Sequence, residues 1–255
     1  MSPGLPGASI SGPQRFPAPL ATGSYLKAED RTKTGLVIMV IAFGLLWIPY
    51  VSYLGDLLAI VGVIFVWLGR GAFTPQHSRD ATVGTACVFL GLLVGIMVGI
   101  SFALGVVSAA LTPQETSQAF VATLQSSLDL LFASSIVISA LTAAGFLSLP
   151  YALADPVSRR LLWAGFALSI AFTSGIVAVV APQIHTALAQ SISGATLKSG
   201  PVQALETKET LLGVVQIIPN LMFLWAYYRT RQHIFPPGAG PKVLPPLPSQ
   251  SRRFD

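Results

Sequence analysis

Gln216 and Asn220 stand one helical turn apart with Pro219 between them, inside an apolar run from Leu211 to Tyr228. Proline removes a backbone donor and frees a carbonyl one turn earlier, so amide side chains beside it can line a site for a small solute or an ion. The same amides can equally serve as hydrogen-bonding partners for neighbouring helices. Ser135 with Ser139, and Ser169 with Thr173, add hydroxyl pairs at helical spacing, a type that bonds its own backbone or an adjacent helix. Gly91, Gly95 and Gly99 recur at strict four-residue spacing between Cys87 and Ala103, in the manner of a glycine zipper. Such a ridge admits a second helix at close range, and is a candidate packing seam for a homo-oligomer, for a sliding contact, or for ordinary packing within a bundle.

Catalytic patterns are weaker. His77, His185 and His233 fall in three separate polar segments, so no shared metal is expected. Ser24-Tyr25-Leu26-Lys27 and Lys198-Ser199-Gly200 loosely match the S-x-x-K and K-T-G elements of penicillin-binding enzymes, but a membrane lies between them in the topology derived below. A Walker A loop, a Rossmann fingerprint, a G-x-S-x-G elbow and an H-E-x-x-H helix are all missing. The sequence points away from an enzyme and implies no cofactor. Cys87 is the single cysteine and lies in an apolar run, which leaves no intrachain disulfide and suits a small packing residue.

The elements that position these residues follow from composition. Of 255 residues, 53% are apolar and 10% charged, against roughly a quarter charged in a soluble domain. The mean hydropathy is +0.69. The partner this implies is the lipid bilayer. A net charge of +5 does not indicate nucleic acid, because the basic residues are scattered between apolar runs and are not gathered with aromatics on one face.

A helix needs about 20 apolar residues to cross the hydrocarbon core. Six stretches qualify: Gly35 to Tyr53, a shorter one from after Gly55-Asp56 to Arg70, Ala81 to Leu111, Leu128 to Tyr151, Leu161 to Ala181, and Leu211 to Tyr228. The third lacks any charge and is longer than the core is thick, so it must tilt or protrude. The predicted fold is an all-α transmembrane bundle of six spans arranged as three hairpins.

Lys and Arg accumulate on cytoplasmic loops, and thirteen of the fifteen here fall on alternate loops of this parse. Only Lys198 and Lys208 lie opposite. Both termini are therefore predicted to be cytoplasmic, in a cell-membrane protein. Trp67, Trp163 and Trp225 fall near cytoplasmic arginines and Trp47 near the outer end of span one, as expected of headgroup-level indoles, with Tyr151, Tyr227 and Tyr228 joining the inner belt. No charged residue falls mid-span, which argues against a proton-coupled pump.

Thr112-Pro113-Gln114-Glu115 reads as a capping box, starting a helix that enters span four after about three turns. Ile184, Leu188 and Ile192 continue a stripe beyond span five past Pro182, so regions 112–127 and 182–210 are predicted external helical extensions. Asp155-Pro156 reads as an N-cap with proline at the first helical position, making spans four and five antiparallel neighbours. Residues 1–34 and 229–255 flank the 35–228 membrane domain and, rich in proline, are expected to be disordered, with no cleaved signal peptide. Lys242-Val243-Leu244-Pro245-Pro246-Leu247-Pro248 has the form read by SH3-type grooves, so a partner for the tail is a further expectation.

The first hairpin, with Trp47-Ile48-Pro49-Tyr50 and Gly55, Gly62 and Gly69 at seven-residue intervals, resembles the glycine-punctuated hairpin of uncharacterised archaeal polytopic membrane proteins. Arg159-Arg160-Leu161-Leu162-Trp163-Ala164-Gly165 and the proline-rich tail are similar to the same group. The resemblance implies a six-span fold and no particular activity. The expected function is non-enzymatic, in membrane assembly or interaction through the Gly91, Gly95, Gly99 seam. The alternative is a small-solute or ion carrier or channel using Gln216, Pro219 and Asn220.

Overall fold

A computed structural model describes residues 22–46, 48, 51–111, 117–192 and 215–236. They form helices α1 (Thr22–Leu45), α2 (Ser52–Leu68), α3 (Pro75–Leu111), α4 (Ser117–Tyr151), α5 (Pro156–Ile192) and α6 (Ile217–Ile234). A single 3₁₀ turn, Arg70–Ala72, joins α2 to α3, and no strand occurs among the described residues. Four segments are long and apolar enough to cross a membrane: Ser52–Ala72, Pro75–Ser108, Ala122–Tyr151 and Pro156–Thr186. Many of their large apolar side chains are exposed, including Leu93, Met97, Ile100 and Leu104 on α3. Apolar surface on this scale suits lipid rather than water. Length and apolar composition of these four helices suggest a membrane location.

Helices α1 and α6 do not meet the same measure. The N-terminal half of α1 carries Lys27, Glu29, Asp30, Arg31 and Lys33, and α6 ends in Arg229, Arg231, Gln232 and His233. The expected disorder up to Thr34 is corrected: α1 begins at Thr22, and Thr32 is wholly buried against Gly69. The expected turn at Gly55-Asp56 is also corrected. α1 stops at Leu45 and α2 begins at Ser52, because Pro49 disfavours helical backbone at the residue before it and cannot donate within a helix. Gly55 lies inside α2, where it packs on α1.

The helices pack in the spatial order α2, α1, α6, α5, α4, α3, with the 3₁₀ turn touching both α1 and α3. The sequence-derived neighbours α4 and α5 are joined by the short link 152–155. Pro150 lies in the last turn of α4, and Asp155 Oδ1 accepts a hydrogen bond of 3.1 Å from the Ser158 amide, the predicted N-cap. α4 is continuous from Ser117, and α5 runs through Pro182 to Ile192. The capping-box residues 112–115, residues 193–214 and the tail beyond Pro236 lie outside the described residues.

An aromatic cluster joins three non-sequential helices. Phe43 of α1 stacks on Phe223 of α6 at 5.5 Å between ring centroids and meets Phe146 of α4 edge-on at 5.0 Å. Tyr227, expected in the interfacial belt, is instead fully buried in this cluster, 5.4 Å from Phe43. Its hydroxyl donates to the Phe146 carbonyl at 2.8 Å, which satisfies the one polar atom that burial would otherwise strand.

Candidate functional site

The glycines of the two hairpins lie on seven-residue seams. In α2, a Cβ added at Gly62 would fall 2.8 Å from Met39 Cγ, one at Gly55 3.0 Å from the Leu46 amide nitrogen, and Gly69 abuts Thr32 and Ala28. In α3, a Cβ at Gly84 would fall 2.8 Å from the Gly145 carbonyl, one at Gly91 2.8 Å from Thr142 Oγ1, and one at Gly105 2.5 Å from Ser127 Oγ. Positions 84, 91 and 105, like 55, 62 and 69, are whole heptads apart. A heptad drifts by only about 20° around a helix and keeps one face on an antiparallel neighbour.

The four-residue ridge therefore divides. Each four-residue step turns about 40°, so Gly91 faces α4, Gly95 meets only Ile138 Cδ1 at 3.7 Å, and Gly99 has nothing within 4 Å. Gly91 is a packing residue of the α3–α4 hairpin. Gly99, together with exposed Ala103, lies on an open flank of α3. Gly84, Gly105 and Gly145 were missed in the sequence, although the seven-residue period seen at Gly55, Gly62 and Gly69 could have found the first two.

The span-six residues lie at a helix start. Gln216 occupies the N-cap position of α6 and Pro219 falls in its first turn, where a missing amide hydrogen leaves no intrahelical bond unmade. Val215 is helical, Gln216 is a turn and α6 resumes at Ile217, so the helical backbone is interrupted beside Pro219. Pro219 is buried, Asn220 is partly buried, and Gln216 Oε1 is buried without a donor.

Between α4 and α5 the predicted hydroxyl pairs meet. Thr173 Oγ1 donates to Ser139 Oγ at 3.0 Å, Ser139 Oγ donates to the Ser169 carbonyl at 3.4 Å, and Ser135 bonds its own helix at the Phe132 carbonyl. Toward the far end of this pair of helices, His185 Nε2 lies 2.9 Å from Asp129 Oδ1. Among the described residues no three His, Cys, Asp or Glu side chains converge as a metal would require.

Polar groups concentrate at the end of the bundle where α1 begins, α2 passes into α3, α4 turns into α5, and α6 finishes. All nine described Lys and Arg residues lie there, with Glu29, Asp30, Asp80 and Asp155. Arg229 Nη2 contacts Asp155 Oδ2 at 3.1 Å. Burial alone would raise the Asp155 carboxyl, but hydrogen bonds from the Ser158 hydroxyl and amide, together with the Arg229 guanidinium, hold it below the usual carboxylate range. Phe73 meets the His77 ring edge-on at 5.3 Å and Phe235 at 6.5 Å, and Lys33 Nζ lies 5.6 Å from the Phe235 ring centre. The Arg70 guanidinium lies 4.3 Å over the Trp67 ring. Around these contacts several buried polar atoms lack a hydrogen-bond partner: Thr32 Oγ1, Arg70 Nη1, both His77 ring nitrogens, Asp80 Oδ2 and Arg231 Nε.

No family model, no curated protein and no solved structure matches this chain.

Proposed function

We propose that the chain is a cell-membrane protein of six spans with both termini in the cytoplasm, acting without catalysis as an assembly or interaction component of the membrane. Placing all nine described Lys and Arg at one end supports this orientation through the positive-inside rule. On this reading the apolar parts of α1 and α6 complete spans one and six, and their charged turns project into the cytoplasm.

The observation that carries the assembly role is the open flank of α3. Gly91 is covered by α4, whereas Gly99 has no neighbour within 4 Å and stands among exposed Ile96, Ile100 and Ala103. A small residue facing outward from a membrane helix lets a second helix approach closely. The occupant proposed is α3 of a second copy. Photobleaching step counts of labelled protein in lipid nanodiscs test it: Gly99→Leu converts dimers to folded monomers. An unchanged oligomer distribution overturns the assembly role.

One observation favours a second reading, a small-solute or ion pathway at Gln216, Pro219 and Asn220: the buried Gln216 Oε1 has no donor. Glycerol and potassium flux into proteoliposomes, lost in Gln216→Leu, would favour this reading over the first.

A further inference from the structure

We infer that the basic end of the bundle, at Arg70, His77 and Arg231, binds a phosphate-bearing anion, supplied by the headgroup of an acidic phospholipid. The inference rests on the membrane reading above and extends it to a ligand. Three elements supply the site: the 3₁₀ turn carries Arg70, α3 carries His77, and α6 carries Arg231. Phe73 ties them together, since it follows the turn, packs edge-on against His77, and meets Phe235. The Phe235 amide in turn donates to the Arg231 carbonyl at 2.8 Å, so Arg231 belongs to the same closing turn of α6.

The donors there are stranded. Arg70 Nη1 and Arg231 Nε are buried without an acceptor, and His77, with no exposed surface, has neither ring nitrogen bonded. A buried charged donor left unpaired costs more than a neutral one, so an acceptor is required. Among the described residues neither guanidinium forms an ion pair. The charges acting on Asp80 come from Arg79 and Arg159. Among the described residues, nine basic side chains against four acidic ones at this end leave it attractive to an anion.

Guanidinium forks match phosphate oxygens in geometry as well as charge. The headgroup is favoured over free phosphate by depth. The Arg70 guanidinium carbon lies 4.3 Å from the Trp67 ring centre, while Trp163 and Trp225 are exposed at the same end, and indoles of this kind mark the headgroup layer. Basic pockets between membrane helices on the cytoplasmic side recognise acidic lipids in this way.

The test uses the full chain in detergent, exchanged into nanodiscs of phosphatidylcholine with or without phosphatidylglycerol, with retained lipid read by native mass spectrometry. Wild type is expected to retain phosphatidylglycerol over phosphatidylcholine by about tenfold, and Arg70→Gln with Arg231→Gln to abolish that preference. Arg160→Gln, an exposed control, leaves it intact. Should the double variant fail to fold, Arg231→Lys keeps the charge, loses the fork and lowers the preference. Displacement of the lipid by millimolar inorganic phosphate, or binding of phosphate without lipid, assigns the same site to the free anion. Equal retention of both lipids with no phosphate binding overturns the proposal. Failure of the membrane reading itself would show separately, as release of the chain from membranes by alkaline carbonate.

Discussion

Substituting alanine at Gly84 and at Gly99 separates a closed helix seam from an open flank with the same chemical change. At Gly84 the new methyl falls 2.8 Å from the Gly145 carbonyl and 3.0 Å from the Leu149 amide nitrogen. Both are backbone atoms, so relief requires α3 and α4 to move apart, and forcing a methyl into closed packing costs about 1–3 kcal/mol. Against that, alanine gains about 0.8–1 kcal/mol of helix propensity over glycine. At Gly99 nothing lies within 4 Å, so only the propensity gain operates. Gly84→Ala should therefore lose up to about 2 kcal/mol and Gly99→Ala should gain up to about 1 kcal/mol. The propensity gain cancels in the difference between them, which is about 1–3 kcal/mol. Reversible unfolding in mixed micelles of increasing SDS, followed by circular dichroism, measures it. Equal midpoints for the two variants, or a more stable Gly84→Ala, would refute the heptad seam.

Two further outcomes follow from hydrogen bonds in the structure. Tyr227→Phe removes the 2.8 Å bond to the Phe146 carbonyl while keeping the aromatic packing, and should cost about 0.5–1.5 kcal/mol in the same unfolding assay. An unchanged midpoint would mean that the hydroxyl bond adds nothing. Asp155→Asn keeps a capping side chain but removes the charge facing Arg229, a pair in which the arginine side chain is 40% exposed, so the expected loss is at most about 1 kcal/mol. Because the folded Asp155 value lies below its unfolded one, the wild-type advantage is full above about pH 4 and disappears as pH falls through the folded value. Midpoints of the two proteins should converge in acid, and an advantage that grew in acid would contradict the assignment.

What the sequence disclosed depended on how local each signal was. Apolar runs and the Asp155-Pro156 start of α5 are readable because each is set by residues within a few turns, whereas the hydroxyl pairs show local spacing but Ser139 bonds Thr173 across to the next helix. The Gly55, Gly62, Gly69 period was visible too, but in α3 the eye-catching motif was Gly91, Gly95, Gly99. Val98 interrupts the heptad series there and hides the link from Gly91 to Gly105, so the four-residue spacing joins Gly99 to residues that face another way. Gly55 reads as a turn in the sequence because glycine serves both turns and close approach, and only the partner helix tells them apart. The helical start of α1 was obscured by its charges, since burial of Thr32 depends on Gly69, far along the chain. The stranded groups of Arg70 and His77 stand seven residues apart, but Arg231 comes from far along the chain, and no local pattern joins all three.

Orientation in the membrane is the central claim, because the positions of both hairpins, the open α3 flank and the basic end all depend on it. A compartment-sensitive reporter fused after Ser199 should read as external, and the same reporter fused after Arg253 should read as cytoplasmic. Both fusions reading from the same side, or the reverse assignment, would contradict the six-span arrangement with its basic end in the cytoplasm.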